Sequence, residues 1–273
     1  MAYASLLVQL DLEPSNDARL RVAGDFARRF HSHLIGIAAG DPNPPAYGGG
    51  KFAAGLIAQQ RATIEQQLAA AQERFRAGLA GIGHMEWRQA LDKPNAYVAA
   101  QARAADLVIT GHGSYGHMLD PFRVLDPSLL VIQAGRPVLV VPAEVESCQA
   151  RKVVIGWKNT REARRAIRDA LPLLQTAEYV VVGEIVEHDD RAAEDGRLDD
   201  VIRWLARHRV TAVPRVLRTG VDAAESLQQM AHDEFADLIV TGAYGHSRLG
   251  EWIWGGVTRR LLTSSQLCCL LSH

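Results

Sequence analysis

The chain has 273 residues, 48% hydrophobic and 22% charged, a balance that excludes a disordered chain and leaves room for two domains of ordinary size. A formal net charge of −1 gives no electrostatic basis for binding nucleic acid or an anionic membrane surface. No apolar run approaches the roughly 20 residues that span a bilayer, and the opening MAYASLLVQLDLE meets Asp11 too soon for a secretory leader, so the expected compartment is the cytoplasm.

In chain order, Ser5 to Leu10 reads as an apolar strand ending at Asp11, and Pro14-Ser15 opens a helix through Phe30 with Ala18, Val22, Phe26 and Phe30 at helical spacing. His33 to Ala38 is a second strand. The Pro/Gly-rich stretch Asp41 to Lys51 is a loop leading into a long Gln/Ala-rich helix that ends near Gly81. A third strand (Met85 to Ala90), a helix (Asn95 to Ala104), a fourth strand (Leu107 to Thr110) and a fifth (Pro137 to Val141) follow. The order then repeats. Lys152 to Trp157 is a strand, and Asn159-Thr160-Arg161-Glu162 is a capping-box-like start to a helix ending near Leu174. Tyr179 to Val186, Ala212 to Leu217, Leu238 to Thr241 and Leu267 to Leu271 are strands, with helices over Leu198 to His208 and Asp222 to Asp233. Alternating strands and helices imply an α/β fold, a mostly parallel sheet with helices on both faces. The three cysteines, two of them adjacent at Cys268-Cys269, form no disulfide framework and no metal-ligand spacing.

The repetition is visible in the letters. Ala105-Asp106-Leu107-Val108-Ile109-Thr110-Gly111 returns as Ala236-Asp237-Leu238-Ile239-Val240-Thr241-Gly242, and Tyr115-Gly116-His117 returns as Tyr244-Gly245-His246. Two tandem domains of one fold follow, 1–145 and 151–273. In the second copy the strand gives way to Gly242 and Gly245, a nine-residue excursion, the pair Gly255-Gly256 and a helix. Glycines at such a junction let the backbone take φ > 0 and bring bare N–H groups close to a ligand. The helix N-terminus beyond supplies unpaired donors and about half a positive charge. Together they form an anion cradle, and phosphate is its usual occupant.

Gly242-x2-Gly245-x9-Gly255, followed by a small residue and Val257-Thr258, resembles the nucleotide loop of universal stress proteins. Val153-Val154-Ile155-Gly156-Trp157, Arg165-Ala166, Asp169-Ala170-Leu171-Pro172-Leu173-Leu174 and the ending Leu270-Leu271-Ser272-His273 support the resemblance. It covers the chain once per half. The resemblance implies two tandem flavodoxin-like (adenine nucleotide alpha hydrolase-like) domains, each with a five-stranded sheet. It also implies binding of ATP or a related adenine nucleotide, with or without Mg, by a stress sensor or regulator and not by an enzyme with defined turnover. The fifth strands are expected to pair, Pro137–Val141 against Leu267–Leu271, as an internal pseudo-dimer, with a homodimer and an unidentified protein partner as further associations. The residues assigned to the nucleotide are Gly156, Trp157, Lys158, Ile185, Gly242, Tyr244, Gly245, Gly255, Gly256, Val257 and Thr258.

Three departures from the family pattern bear on the ligand. Gly256 stands where Ser or Thr is usual, which removes a hydroxyl donor but keeps the N–H, and Thr258 is the substitute hydroxyl. Arg259 and Arg260 are unfavourable near a helix N-terminus by roughly 0.3–1 kcal/mol each. They make sense beside an anion, or paired with Glu251 or in solvent. Lys158 replaces the Asp that ends the first strand and resembles an adenosine-side contact; the first half keeps it as Asp11. In the first half Asp126-Pro127 stands where the second has Gly255-Gly256, putting a negative charge at the phosphate position and removing an N–H. The first half is therefore expected to bind no nucleoside triphosphate.

Gly111-His-Gly113-Ser-Tyr-Gly116 fits GxGxxG but follows a fourth strand instead of a first, and Ser114 fails GxSxG because His112 precedes it. His31 and His33 share a strand face without a third ligand nearby, so no metal site is expected. His112, His117 and His246 flank the glycine loops, and Trp252 and Trp254 could wedge the excursion or cover a nucleotide. Two alternatives to a sensor stand: a slow ATP-hydrolysing enzyme, for which Glu251 is the sole carboxylate in the loop, and a ligand-independent interaction module.

Overall fold

The structure, a computed structural model, describes residues 2–13, 17–42, 51–112, 120–186, 191–218, 222–245 and 256–273, without the side chains of 51–54, 185–186, 191–197 and 218. The first half runs β1 (Ser5–Gln9), α1 (Asp17–Phe30), β2 (His33–Ala39), α2 (Lys51–Gly78), β3 (Met85–Ala90), α3 (Pro94–Gln101), β4 (Leu107–Gly111), α4 (Pro127–Gln133) and β5 (Val138–Val141). The second runs β6 (Lys152–Trp157), α5 (Arg161–Leu174), β7 (Tyr179–Val186), α6 (Arg191–Arg207), β8 (Ala212–Arg218), α7 (Ala223–Asp233), β9 (Leu238–Gly242), α8 (Gly256–Ser264) and β10 (Cys268–Ser272).

The strands form one sheet in the order β3-β2-β1-β4-β5-β10-β9-β6-β7-β8. Pairing within each half is parallel. At the seam β5 and β10 run antiparallel, with Leu139 opposite Leu270. The chain is thus two tandem flavodoxin-like α/β units joined edge to edge, and the expected pairing of fifth strands is the one observed. In each half the connections diverge at the first and fourth strands (β1/β4, β6/β9). That divergence opens a crevice beyond their carboxyl ends, where ligands of such sheets sit.

Side-chain alternation sends the strands' two apolar sets to opposite layers. Leu6, Val8, Val153, Ile155 and Trp157 join the core under α1, α2, α5 and α6. Leu7, Val108, Val154 and Ile239 join the core under α3, α4, α7 and α8. Both faces are covered, which is why these strands read as continuous apolar runs. Pro214 is accommodated because β8 is an edge strand.

The repeated Ala-Asp-Leu lettering has a structural cause. Asp106 Oδ2 accepts from Ser5 N at 3.0 Å, and Asp237 accepts from the N–H groups of Gln149, Arg151 and Lys152 at 3.1–3.2 Å. Each aspartate fastens the chain entering its half's first strand. The halves are also tied by Tyr3, whose hydroxyl donates to the Asp169 carbonyl at 2.7 Å, and by Arg29 donating to the Gln149 carbonyl. All three cysteines are buried thiols, and burial pushes Cys269 up to about 12.

Element limits differ most from the sequence reading in α6 and α3, and α4 is an element that reading lacks. α6 starts at Arg191, earlier than Leu198, and α3 gives way after Gln101 to a 3₁₀ turn over Ala102–Ala104. α4, seven residues starting at Pro127, is too short to show a helical period. No described helix is long and apolar enough to cross a membrane.

Candidate functional site

The second half's crevice is built where β9 meets the start of α5. A Cβ on Gly242 would lie 2.5 Å from Ala163 N and 2.6 Å from the Glu162 carbonyl carbon, so strand and helix touch backbone to backbone. Thr160 caps α5, its Oγ1 accepting from Ala163 N at 3.3 Å. The cap therefore sits one residue later than Asn159-x-x-Glu162 suggests, and Glu162 falls at the second helical position. Its carboxylate turns against the loop: a Cβ on Gly245 would stand 3.1 Å from Glu162 Oε2 and from Thr160 Oγ1. Glu162 is 4% exposed and ion-paired to Arg161. Burial alone would raise it, but the hydrogen bonds from Arg161 and from its own backbone N–H hold it below the ordinary carboxylate range. An ionised carboxylate thus borders the glycine loop, a feature the sequence reading missed; its one signal is the acid in the first turn of α5.

Among the described loop residues Tyr244 is left-handed, at φ 57°, while Gly242 and Gly245 keep negative-side or extended φ. Close approach, and not φ > 0, is what demands glycine at 242. Tyr244 N donates to Thr258 Oγ1 at 3.4 Å, and His273 Nδ1 lies 3.1 Å from the Ala243 carbonyl. Thr258 is 5% exposed, and its hydroxyl oxygen, by accepting from Tyr244 N, ties the loop to α8 and keeps its O–H as a donor. α8 opens at Gly256 with open space where a Cβ would be and no acid in its first turn. Val257 packs on the core below. Arg260 pairs with Asp222, the cap of α7, at 2.9 Å. Glu225 Oε2 also lies 3.7 Å from Arg260 Nη1, so two described carboxylates face this arginine.

The remaining assigned residues divide. Gly156, next to last in β6, has its carbonyl accepting from Thr241 Oγ1 at 3.2 Å, and a Cβ there would strike Leu227 at 2.8 Å, so packing requires a glycine here. Trp157 is buried beneath α5 and α6. Lys158 is exposed at the mouth, its carbonyl accepting from Thr160 N at 2.6 Å. Ile185 lies near the end of β7 opposite Leu217. Gly255, Gly116, His117, His246, Glu251, Trp252 and Trp254 lie outside the described residues.

The first half fills the same crevice with its own side chains. By strand register Gln9 stands where Gly156 does, since Leu6 pairs with Leu107 as Val153 pairs with Leu238. Gln9 Oε1 accepts from Arg19 Nη1 at 2.8 Å and from Thr110 Oγ1 at 2.9 Å, and its Nε2 donates to Asp11 at 2.9 Å. Arg19, 4% exposed, ion-pairs with Asp11 and lies 2.9 Å from where a Cβ on Gly111 would be. Asp11, which the resemblance offers as an adenosine-side contact, is held by this arginine. At the phosphate end, Asp126 caps α4 with Oδ1 accepting from Ser128 N at 2.8 Å, and Pro127 is its first residue. A cavity of only 120 Å³ remains between Leu12, Gln67, His112 and Arg123.

Burial lowers the His112 pKa, opposed by the Glu144 carboxylate. A depressed folded value means its contribution is complete above the ordinary 6.5 and is lost as pH falls through the folded value. The urea midpoint should therefore drop between pH 7 and pH 5 by less in His112→Gln than in the parent. An equal drop would show that this imidazole is not buried.

Fold and glycine junction define a tandem α/β protein with a ligand crevice beyond β6 and β9. Residues 176–271 match the Universal stress protein family. A universal stress protein from Archaeoglobus fulgidus DSM 4304 superposes with a TM-score of 0.73 over 98% of each chain at 12% identity. A protein provisionally designated a universal stress protein, from Pseudomonas aeruginosa UCBPP-PA14, gives 0.61 over 99% of this chain and 93% of its own at 16% identity. A universal stress protein solved in complex with cAMP matches 53% of this chain and 100% of its own at 21% identity, with a TM-score of 0.38. No curated protein matches the chain.

Proposed function

We propose that the C-terminal half binds one adenine nucleotide per chain, its phosphates at the N-terminus of α8, and that the protein is a cytoplasmic sensor or regulator and not an enzyme. The observation that carries this is the contrast between the two equivalent helices. α4 begins with Asp126, whose carboxylate accepts from Ser128 N, and then a proline that has no N–H; α8 begins with Gly256, with no described residue within 4 Å of where its Cβ would stand. The set Gly242, Tyr244, Gly245, Gly256, Val257 and Thr258 frames the loop, and Lys158 at the mouth can meet a phosphate but cannot accept from a ribose hydroxyl. On this reading the two halves form the pseudo-dimer, and a homodimer or protein partner would receive the signal.

Titration calorimetry with ATP should give a stoichiometry near one; two would sink the asymmetry. Gly255→Asp, placing before Gly256 the acid that α4 already carries, should abolish binding with the circular dichroism unchanged. Glu162, ionised beside Gly245, is the observation that favours hydrolysis, since a carboxylate there could hold Mg against the phosphates. Native mass spectrometry after incubation with ATP and Mg decides it: intact ATP retained on the chain supports the sensor, ADP accumulation the enzyme, and an empty chain the ligand-independent module.

A further inference from the structure

The second half holds a hollow outside the glycine crevice. It lies on the other side of Trp157, between α5 and α6, and measures 440 Å³. Its walls are Trp157, Ile167, Val201 and Trp204. A second hollow adjoins it and shares Trp204 and Arg168.

The first half shows why space remains here. α1 carries Phe26 and Phe30, whereas α5 has no aromatic residue over Arg161–Leu174. Phe26 packs edge-on to Phe30, and Phe75 from α2 packs on Trp87, closing the corresponding layer. α6 brings Leu198, Val201 and Leu205 and no phenylalanine to its side of the core.

Three features give the hollow a ligand chemistry. Its volume is within the roughly 300–1,000 Å³ of small-molecule sites, and an apolar cavity of about 150 Å³ already holds benzene. Trp157 is 7% exposed and its Nε1–H has no hydrogen-bond partner, a buried donor left for an acceptor that the protein itself does not supply. Arg164 and Arg168 stand at the rim on α5. Arg164 also donates to Asn159 Oδ1 at 2.8 Å. Among the described residues that line it the one acid is Asp200, paired with Arg203 at 2.7 Å, while Arg164 and Arg168 bring positive charge.

We infer that this hollow between α5 and α6 is a second ligand site, for a compact aromatic anion: rings between Trp157 and Trp204, an acceptor on the Trp157 indole N–H, and the charge toward Arg164 and Arg168. The inference does not depend on the nucleotide reading, because the Trp157 side chain faces the α5/α6 layer while the loop lies beyond β9.

The probe is 1-anilinonaphthalene-8-sulfonate, with neutral N-phenyl-1-naphthylamine as its uncharged counterpart. Sulfonate fluorescence should saturate at one site per chain. Val201→Phe, which puts a ring into the hollow from its own wall, should weaken both probes by about tenfold or more. Arg164→Gln with Arg168→Gln alters only exposed side chains and should weaken the sulfonate by about tenfold while leaving the neutral probe within about twofold. If Val201→Phe unfolds the protein, the arginine pair decides alone. The proposal is overturned if the sulfonate binds without saturation, if the arginine pair leaves its affinity unchanged, or if saturating ATP displaces it, which would make the hollow part of the nucleotide site. Sulfonate binding without any ATP binding would refute the nucleotide reading and leave this one standing.

Discussion

Gly242→Ala should lower the free energy of unfolding by about 1–3 kcal/mol, the usual range for forcing an extra methyl into a packed site. The new Cβ would meet Ala163 N at 2.5 Å and the Glu162 carbonyl carbon at 2.6 Å, and neither can rotate away. Either α5 lifts from β9 or β9 shifts against β6 and β10, and both moves disturb the crevice. Gly245→Ala is the comparison. Its nearest atoms, at 3.1 Å, are the ends of the Glu162 and Thr160 side chains, which can yield by a few tenths of an ångström. Denaturant unfolding of both variants checks the pair, and equal stabilities would show that α5 is not seated on the end of β9. The same displacement should abolish ATP binding in Gly242→Ala, read by calorimetry on protein still folded at low temperature.

Asp11→Ala should also be costly, by about 2–3 kcal/mol. Removing one partner of a buried ion pair costs about 3–5 kcal/mol, and the 31% exposure of Asp11 reduces that because water can reach the arginine's side of the gap. Arg19 would keep Gln9 and lose its carboxylate inside a region where its side chain is 5% exposed. Asp11→Asn should fall between the two, since an amide oxygen can still accept. Neither change should alter ATP affinity or stoichiometry, because the proposed ligand is carried by the other half. A stability loss under 1 kcal/mol in urea melts would mean the Arg19 network is solvated, and a changed ATP stoichiometry would mean the first crevice binds after all.

Much of the fold could be read from the chain because its signals are local or repeated. Apolar runs bounded by Gly, Pro and Asp marked all ten strands to within a residue or two, and the duplicated Ala-Asp-Leu phrase exposed two units. The site was legible in outline only. Gly242 and the Asp126-Pro127 substitution are chain-local, and both have structural counterparts in the α5 contact and the α4 cap. What stayed hidden depends on contacts between distant segments. Nothing near Arg19 in the sequence says that it fills a crevice with Gln9 and Thr110, and nothing near Glu162 says that it turns toward Gly245. Thr258 and Arg260 could be placed near α8 but not given their partners, Tyr244 and Asp222, which come from other loops. The hollow between α5 and α6 is a missing volume, and sequence patterns record what is present.

The antiparallel junction of β5 with β10 has a consequence for dilution. In a dimer of separate chains, such a seam opens when the concentration falls below its dissociation constant. Here both strands belong to one polypeptide, and the linker at 142–151 keeps them at an effective concentration of the order of millimolar. That linker is itself strapped down, its Gln149, Arg151 and Lys152 N–H groups on Asp237 and its Val145 and Glu146 carbonyls on Arg21. The pairing therefore persists at any cellular abundance, and a signal carried by this protein must travel by a route other than the parting of its two halves. Covalent joining also lets the two loops diverge independently, as copies encoded by one gene in a symmetric dimer cannot.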